Sequence, residues 1–285
     1  MPTFSTPTPI DLAINLPVGA ITVIASDRTD TIVTVEPTSP SKAVDRRGAE
    51  ETKVEHDGQR ITVTGPKPRF AIIGPSESID VTVEVPTGSR LTAEISVGGV
   101  RTTGRLGATR IKALTGSADI DGTGDLSLRA GHGSVAVASA DGTLDITADH
   151  GQVAVGAVSG DATVAASHGS ISIGEAGGDV TAKTAYGDLE ITTARASVSA
   201  KTAYGTVRIR EVSSGSISVE SGYGQLAVGV KPGVAAWLDL AAKNGRVRND
   251  LTTDTAPDSS EETVAVRARS QFGDITITRS TGKDS

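Results

Sequence analysis

One position that carries histidine or tyrosine recurs along the middle of the chain, always directly before a glycine. It is occupied by His132, His150, His168, Tyr186, Tyr204 and Tyr223, at intervals of 18, 18, 18, 18 and 19 residues. We call this set the ring column; it holds all three tyrosines of the chain and three of its four histidines. If the repeats stack as strands, these rings form a ladder along the stack.

The sequence leaves two interpretations of the ring column open. In the favoured one the rings fill a corner of the core, because Leu126, Leu128 and His132 share one alternation. In the other the rings open onto a groove and stack a flat aromatic, antibiotic-like small molecule. Lys183 and Lys201 lie nearby and extend the candidate ligand-binding set.

Metal binding and catalysis are less favoured chemistries for the ring column. Stacked neutral imidazoles could bind Zn²⁺ or Ni²⁺, but a ladder aims the nitrogens in parallel and not at one point. Asp149 beside His150 suggests a triad, with Ser134 or Ser170 as the nucleophile. A triad needs one unique geometry, however, and a repeat offers the same residues many times. We therefore predict no catalytic residues, no metal site and no cofactor.

Two further features could contact a partner. Lys183, Lys201 and Lys243 are predicted to share an outward column, which could attract an anion or simply discourage aggregation of a sheet face. Trp237 could anchor a partner, although we favour its packing as a plug in an irregular turn.

The repeat that carries the rings has the periodicity of β-strands. Apolar residues recur in columns such as Leu126, Leu144, Ala162, Val180, Val198 and Ile217, and Val135, Val153, Ile171, Leu189, Val207 and Leu226. Apolar residues recur with a period of two within each segment, and the inward-facing positions change from even to odd, or from odd to even, across the glycine. This change indicates a corner. Two strands and a short third side in about 18 residues describe one coil of a parallel β-solenoid. We predict an all-β, single-chain β-solenoid, whose handedness stays open.

The predicted organisation has three parts. Residues 1–90 lack the period and are predicted as a β-rich N-terminal cap, with a turn at 17–19, a loop over 37–50, a hairpin around Asp57-Gly58 and a loop over 65–78. Residues 91–279 form the solenoid, with an irregular turn and acidic loop in 229–262 and a last coil at 266–277. Residues 280–285 form a tail.

Composition limits the possible partners. The net charge is −7 with the signs interspersed, so we expect no nucleic acid partner. Without cysteine there is no disulfide or thiolate site. No apolar run reaches the roughly 18 residues of a membrane helix, so we expect no membrane insertion. The first ten residues lack the basic and apolar regions of a secretory signal, and we expect a cytoplasmic protein.

Three phrases carry a resemblance to a known family. The corner phrase Gly187-Asp-Leu-Glu-Ile191, the segment Ala235–Leu240 and the closing Gly273–Arg279 resemble the DUF4097 family of β-strand-repeat, adhesin-like proteins. The resemblance covers most of the chain and implies a β-solenoid. In actinobacterial members it also implies a cytoplasmic protein often encoded beside drug-export transporters. The family has no agreed activity or catalytic residues, and it mostly has Ser-Gly or Asn-Gly where this chain has His-Gly or Tyr-Gly.

Together these observations favour a non-enzymatic, cytoplasmic solenoid that binds or sequesters a ligand along the ring column. The alternative is a structural, self-assembling or protein-interaction scaffold, similar to bactofilin rods or adhesins. In that case an uncapped last coil after Ile277 would present a pairing edge. A solenoid enzyme is the least favoured hypothesis.

Overall fold

The computed structural model describes residues 1–66, 77–251 and 263–280. Two compact units divide the chain, Met1–Asp141 and Gly142–Ser285. Parallel β-strands dominate both units, which confirms the predicted all-β, parallel solenoid fold. Most of the loop predicted at 65–78, of the acidic loop and of the tail lies outside the described residues.

The strands of the first unit are β1 (Thr3–Ser5), β2 (Asp11–Ser26), β3 (Asp30–Pro37), β4 (Lys53–Asp57), β5 (Arg60–Thr64), β6 (Ile79–Pro86), β7 (Arg90–Arg105), β8 (Thr109–Thr115), β9 (Ala118–Thr123), β10 (Leu126–His132) and β11 (Val135–Ala140). One helix, α1 (Ala43–Glu51), lies among the described residues of this unit.

Strand β2 lies within the parallel stack of the first unit, since it pairs in parallel with β5 and β6 as well as with β7. Each of the strands β2 and β7 has two arms, one on either side of a glycine, Gly19 in β2 and Gly98 in β7. The strands pair along both arms, with Leu12 opposite Leu91 and Ile21 opposite Val100. Strands β8 and β9 stack on β7, and β10 and β11 stack on β8 and β9. The turn predicted at 17–19 is a corner inside the continuous strand β2, where Gly19 has φ 139° and lies opposite Gly98 of β7. Solenoid-type pairing therefore already occurs within the segment predicted as a cap.

The remaining elements of the first unit cover its edge with antiparallel pairs. Strand β3 pairs with β6, and β4 with β5. The β4–β5 hairpin turns at Gly58 with φ 59°, which confirms its prediction. The loop predicted over 37–50 is wrong, because α1 forms there. The sequence of α1 is charged and has no apolar period that would predict a helix. The helix is held by a contact with a distant residue, since the buried Asp45 carboxylate accepts a hydrogen bond from the Ser78 amide, 3.1 Å away.

The strands of the second unit are β12 (Leu144–His150), β13 (Val153–Val158), β14 (Ala162–His168), β15 (Ile171–Ala176), β16 (Val180–Tyr186), β17 (Leu189–Ala194), β18 (Val198–Tyr204), β19 (Val207–Val212), β20 (Gly215–Tyr223), β21 (Leu226–Val230), β22 (Ala235–Asn244), β23 (Val247–Asn249), β24 (Thr263–Phe272) and β25 (Ile275–Arg279).

Each coil of the second unit has two parallel arms on either side of a glycine corner. The first arms stack through β12, β14, β16, β18 and β20, and the second through β13, β15, β17, β19 and β21. The register follows the predicted repeat, with Val164 opposite Ala182 and Ile173 opposite Ile191. All four side chains are buried, as the column pattern predicts.

The C-terminal coil of the second unit does not stack last. Strand β24 pairs with β20 on one side and with β22 on the other, and β25 lies in the same way between β21 and β23. The last coil in the sequence is therefore inserted before β22 and β23, and its predicted terminal position is wrong. The burial of the side chains reflects this order: Ile275 and Ile277 are fully buried, whereas Val247, opposite Ile275 in the outer coil, is 47% exposed.

Within the described residues, no helix has the length and apolar character needed to cross a membrane.

Candidate functional site

The ring column forms an exposed ladder in the second unit. Its neighbouring ring centroids are 4.8 Å (His150–His168), 4.9 Å (His168–Tyr186), 5.1 Å (Tyr186–Tyr204), 5.0 Å (Tyr204–Tyr223) and 4.7 Å (Tyr223–Phe272) apart. The interplanar angles are 1° to 9°, so the rings are stacked. We call these six residues the ring ladder. His132 lies in the first unit, where it is exposed and opposite Thr115.

The ladder faces solvent, so the favoured interpretation that its rings fill a core corner is wrong. Tyr186 is 50% exposed, and Tyr204 and Tyr223 are each 47% exposed. The reason is a break in alternation one residue before the expected corner. Thr202 is buried and pairs with Ser221, and Tyr204 pairs with Tyr223, but Ala203 between them has no partner in the register. The alternation is therefore broken at Ala203, and Tyr204 points outward.

The spacing of the ladder decides which ring surfaces a ligand can reach. The faces of every ring inside the stack are covered by its neighbours, which leaves the ring edges towards solvent. A flat molecule therefore has no space between two rings, and contact has to be made along the side of the ladder. Ring edges carry the positive part of the aromatic quadrupole, so they favour the face of a second aromatic system.

The outward column predicted to contain Lys183, Lys201 and Lys243 has other residues at its later positions. Lys183 and Lys201 are exposed and lie opposite each other in β16 and β18. The next members are Glu220 and Arg269, and the Lys201 ammonium forms an ion pair of 2.9 Å with Glu220. The prediction that Lys243 shares this column is wrong, because Ala241 is the residue opposite Arg269. The described residues contain no group of three metal-ligating side chains.

A groove of about 490 Å³ lies across β18, β20, β24 and β22, beside the ladder. Its lining includes Lys201, Ala203, Glu220, Gly222, Lys243 and Arg269. Arg269 hydrogen-bonds to Asp239, and this bond, with the positive charges of Arg269 and Arg267, lowers the pKa of the Asp239 carboxyl. Lys243 forms no ion pair with any other described residue. Sequence reasoning missed the groove, because it depends on the inserted position of β24.

The outermost coil, β22 and β23, which we call the end coil, exposes apolar surface. Trp237 is 64% exposed, so its prediction as a plug is wrong. Leu238 and Leu240 are half-buried, although Ile217 and Val219 at the same positions of β20 are fully buried. Strand β22 pairs with β24 along one edge, and no strand in the described part of the chain pairs with its other edge.

The relationship of the chain to known proteins agrees with this architecture. The profile of the Toastrack DUF4097 family matches residues 11–284. The chain belongs to this family. The family resemblance of the corner phrases and of the closing segment is thereby confirmed over nearly the whole sequence. No curated protein matches the chain.

Solved structures similar to this DUF4097 chain include a candidate adhesin from Parabacteroides merdae, with 10% identity, a TM-score of 0.43 and 95% of each chain covered. A candidate adhesin from Bacteroides fragilis has 12% identity, a TM-score of 0.35 and coverage of 97% of this chain and 95% of its own. A candidate cell adhesion protein from Clostridium sporogenes has 11% identity, a TM-score of 0.27 and 98% of each chain covered. Likenesses at this level support no statement about function.

Proposed function

We propose that this chain is a non-enzymatic scaffold that self-associates through its end coil. The observation that carries the proposal is the open edge of β22, where Leu238 and Leu240 are partly exposed at positions that the inner coils bury. An unpaired edge with apolar side chains is a template for a further strand. Each coil of a solenoid contacts only its neighbours, so the outer face of a terminal coil stays exposed. Solenoid proteins therefore usually need a cap on that coil to stay soluble.

A second copy of this chain fits the edge better than an unrelated strand, because β22 is self-complementary. If two copies of β22 pair antiparallel around Ala241, Asp239 of each copy lies opposite Lys243 of the other. In the same register Leu238 lies opposite Asn244, the last residue of β22, so Trp237 lies at the end of the paired segment, next to the corner at Gly245 of the other copy. Such a contact is isologous and closes as a dimer, so it does not propagate into fibres.

The dimer is tested by sedimentation velocity over a wide micromolar range. We expect the unmodified chain to shift from monomer to dimer as its concentration rises, and Trp237→Lys to remain monomeric. Trp237 is largely exposed, so the substitution leaves the coil itself intact. Leu114→Lys is the matched control, because Leu114 is 51% exposed but lies in β8 of the first unit and not in the end coil. An unmodified chain that stays monomeric at every concentration contradicts the proposal.

The second candidate function is capture of a flat aromatic small molecule along the ring ladder. The observation that supports it is the exposure of about half of each of Tyr186, Tyr204 and Tyr223. Exposed aromatic side chains in a continuous row are a common basis for contact with another apolar or aromatic partner. Calorimetric titration with planar tricyclic probes tests this candidate, and a failure of every such probe to bind would contradict it.

A further inference from the structure

We propose that the groove beside the ladder binds elongated planar aromatic anions, which lie along the stacking direction of the coils. The inference rests on the second candidate function and concerns the monomeric chain, because the proposed dimer places Lys243 opposite Asp239 of the other copy. It assigns the ligand to a defined place and gives it a shape and a charge.

The shape follows from the four strands that the groove crosses. Strands β18, β20, β24 and β22 are consecutive neighbours, so the groove extends over three strand spacings, or roughly 14 Å. The lining residues Ala203, Gly222 and Ala242 have little or no side chain, so nothing bulky interrupts the groove at these positions. A linear system of three fused rings matches this length, whereas a compact or branched molecule leaves part of it empty.

The planar aromatic character follows from the adjacent ladder. Ala203 directly precedes Tyr204, Gly222 precedes Tyr223, and Gln271 precedes Phe272, so one ladder ring follows a groove residue in each of three strands. These rings present their edges, because their faces are stacked on one another. A flat ligand whose face lies against several ring edges makes edge-to-face contacts, and each such contact tightens binding by about two- to twelvefold.

The charge of the ligand follows from the ionic groups of the groove. Lys201 is neutralised by Glu220, and Arg269 by Asp239. Lys243 lines the same groove and has no such partner among the described residues. Its ammonium group is therefore available to an acidic group at the β22 end of the ligand, and it disfavours a cation there.

The proposal is tested by calorimetric titration with two planar tricyclic probes of opposite charge, anthraquinone-2-sulfonate and proflavine. We expect the sulfonate to bind with one site per chain and more tightly than proflavine. Ala203→Leu fills the groove with an exposed side chain and should weaken sulfonate binding at least about tenfold. Ser167→Leu is the matched control, since Ser167 lies two coils away in β14 and does not line the groove. Lys243→Gln should reduce the preference for the sulfonate.

The outcomes separate the groove from the ladder. If Tyr204→Ala abolishes sulfonate binding while Ala203→Leu does not change it, the ladder binds ligands but the groove assignment is overturned. Equal affinity for the two probes overturns the charge assignment. If neither probe binds, both the groove and the second candidate function are contradicted. Sedimentation of the same variants reports self-association separately, so these results do not decide the scaffold proposal.

Discussion

The corner glycines act at the scale of single residues, because they let one coil approach the next. Gly187 has φ 148°, and a Cβ added to it would lie 2.2 Å from the carbonyl oxygen of Gly169. A real Cβ cannot occupy that position unless the two backbones separate. The repeat therefore needs glycine at this corner for close contact as well as for conformation.

We expect Gly187→Ala to lower the free energy of unfolding by at least about 3 kcal/mol, because backbone strain and a backbone clash add. Gly233→Ala is the matched control in the same unit. Gly233 also has positive φ, at 81°, but an added Cβ meets nothing within 4 Å, so we expect a loss of about 1 kcal/mol. Urea denaturation measures both values. Equal losses in the two variants would show that close approach does not matter at the corner.

At the scale of elements, the end coil differs from the inner coils in how it is attached. The end coil pairs only with the strands β24 and β25 among the described residues, and ion pairs between side chains add to this backbone pairing. Asp239 of β22 receives a hydrogen bond from Arg269 of β24, and the Arg267 guanidinium lies 3.6 Å from the same carboxylate. The lowered pKa of Asp239 means that the folded end coil favours the ionised carboxyl.

Acid should therefore loosen the end coil. The contribution of Asp239 is present at neutral pH, above the ordinary pKa of an aspartate, and is lost as the pH falls through its lowered value. Trp237 is the only tryptophan of the chain and lies in β22, so its emission reports on this coil alone. We expect its emission in the unmodified chain to change in this acid range, and Asp239→Asn to show a smaller change there. An identical acid titration in both proteins would refute this role.

Elements with a strong local period could be predicted from the sequence, and elements held by distant contacts could not. The parallel arms and their buried columns follow from alternation of residues such as Val164 and Ile173. Helix α1 has no such period, and a contact between Asp45 and the Ser78 amide, 33 residues away, holds it in place. The register of the ladder was predictable, but its exposure depends on the unpaired Ala203, which no alternation rule signals.

At the scale of the whole molecule, the spatial order of the coils was not predictable from their order in the chain. Sequence order places 235–249 before 263–279, whereas the structure places β24 and β25 inside and the end coil outside. The inward residues do not distinguish the two coils, since Leu238 and Leu240 of β22 are at least as apolar as Val266 and Ala268, which lie opposite them in β24. The sequence pattern therefore identifies both coils, but it does not show which one pairs with both neighbours. The proposed function depends on this order, because it decides which edge is open.

The most direct test of the scaffold proposal is a cysteine cross-link at the predicted two-fold axis. The natural chain has no cysteine, so Ala241→Cys introduces a single thiol. In antiparallel pairing around Ala241 the two introduced Cβ atoms face each other at a separation that a disulfide can bridge. We predict rapid formation of a covalent dimer under mild oxidation, with Ser167→Cys, at an exposed position of β14, remaining monomeric. If Ala241→Cys cross-links no faster than Ser167→Cys, the account of the end coil is contradicted.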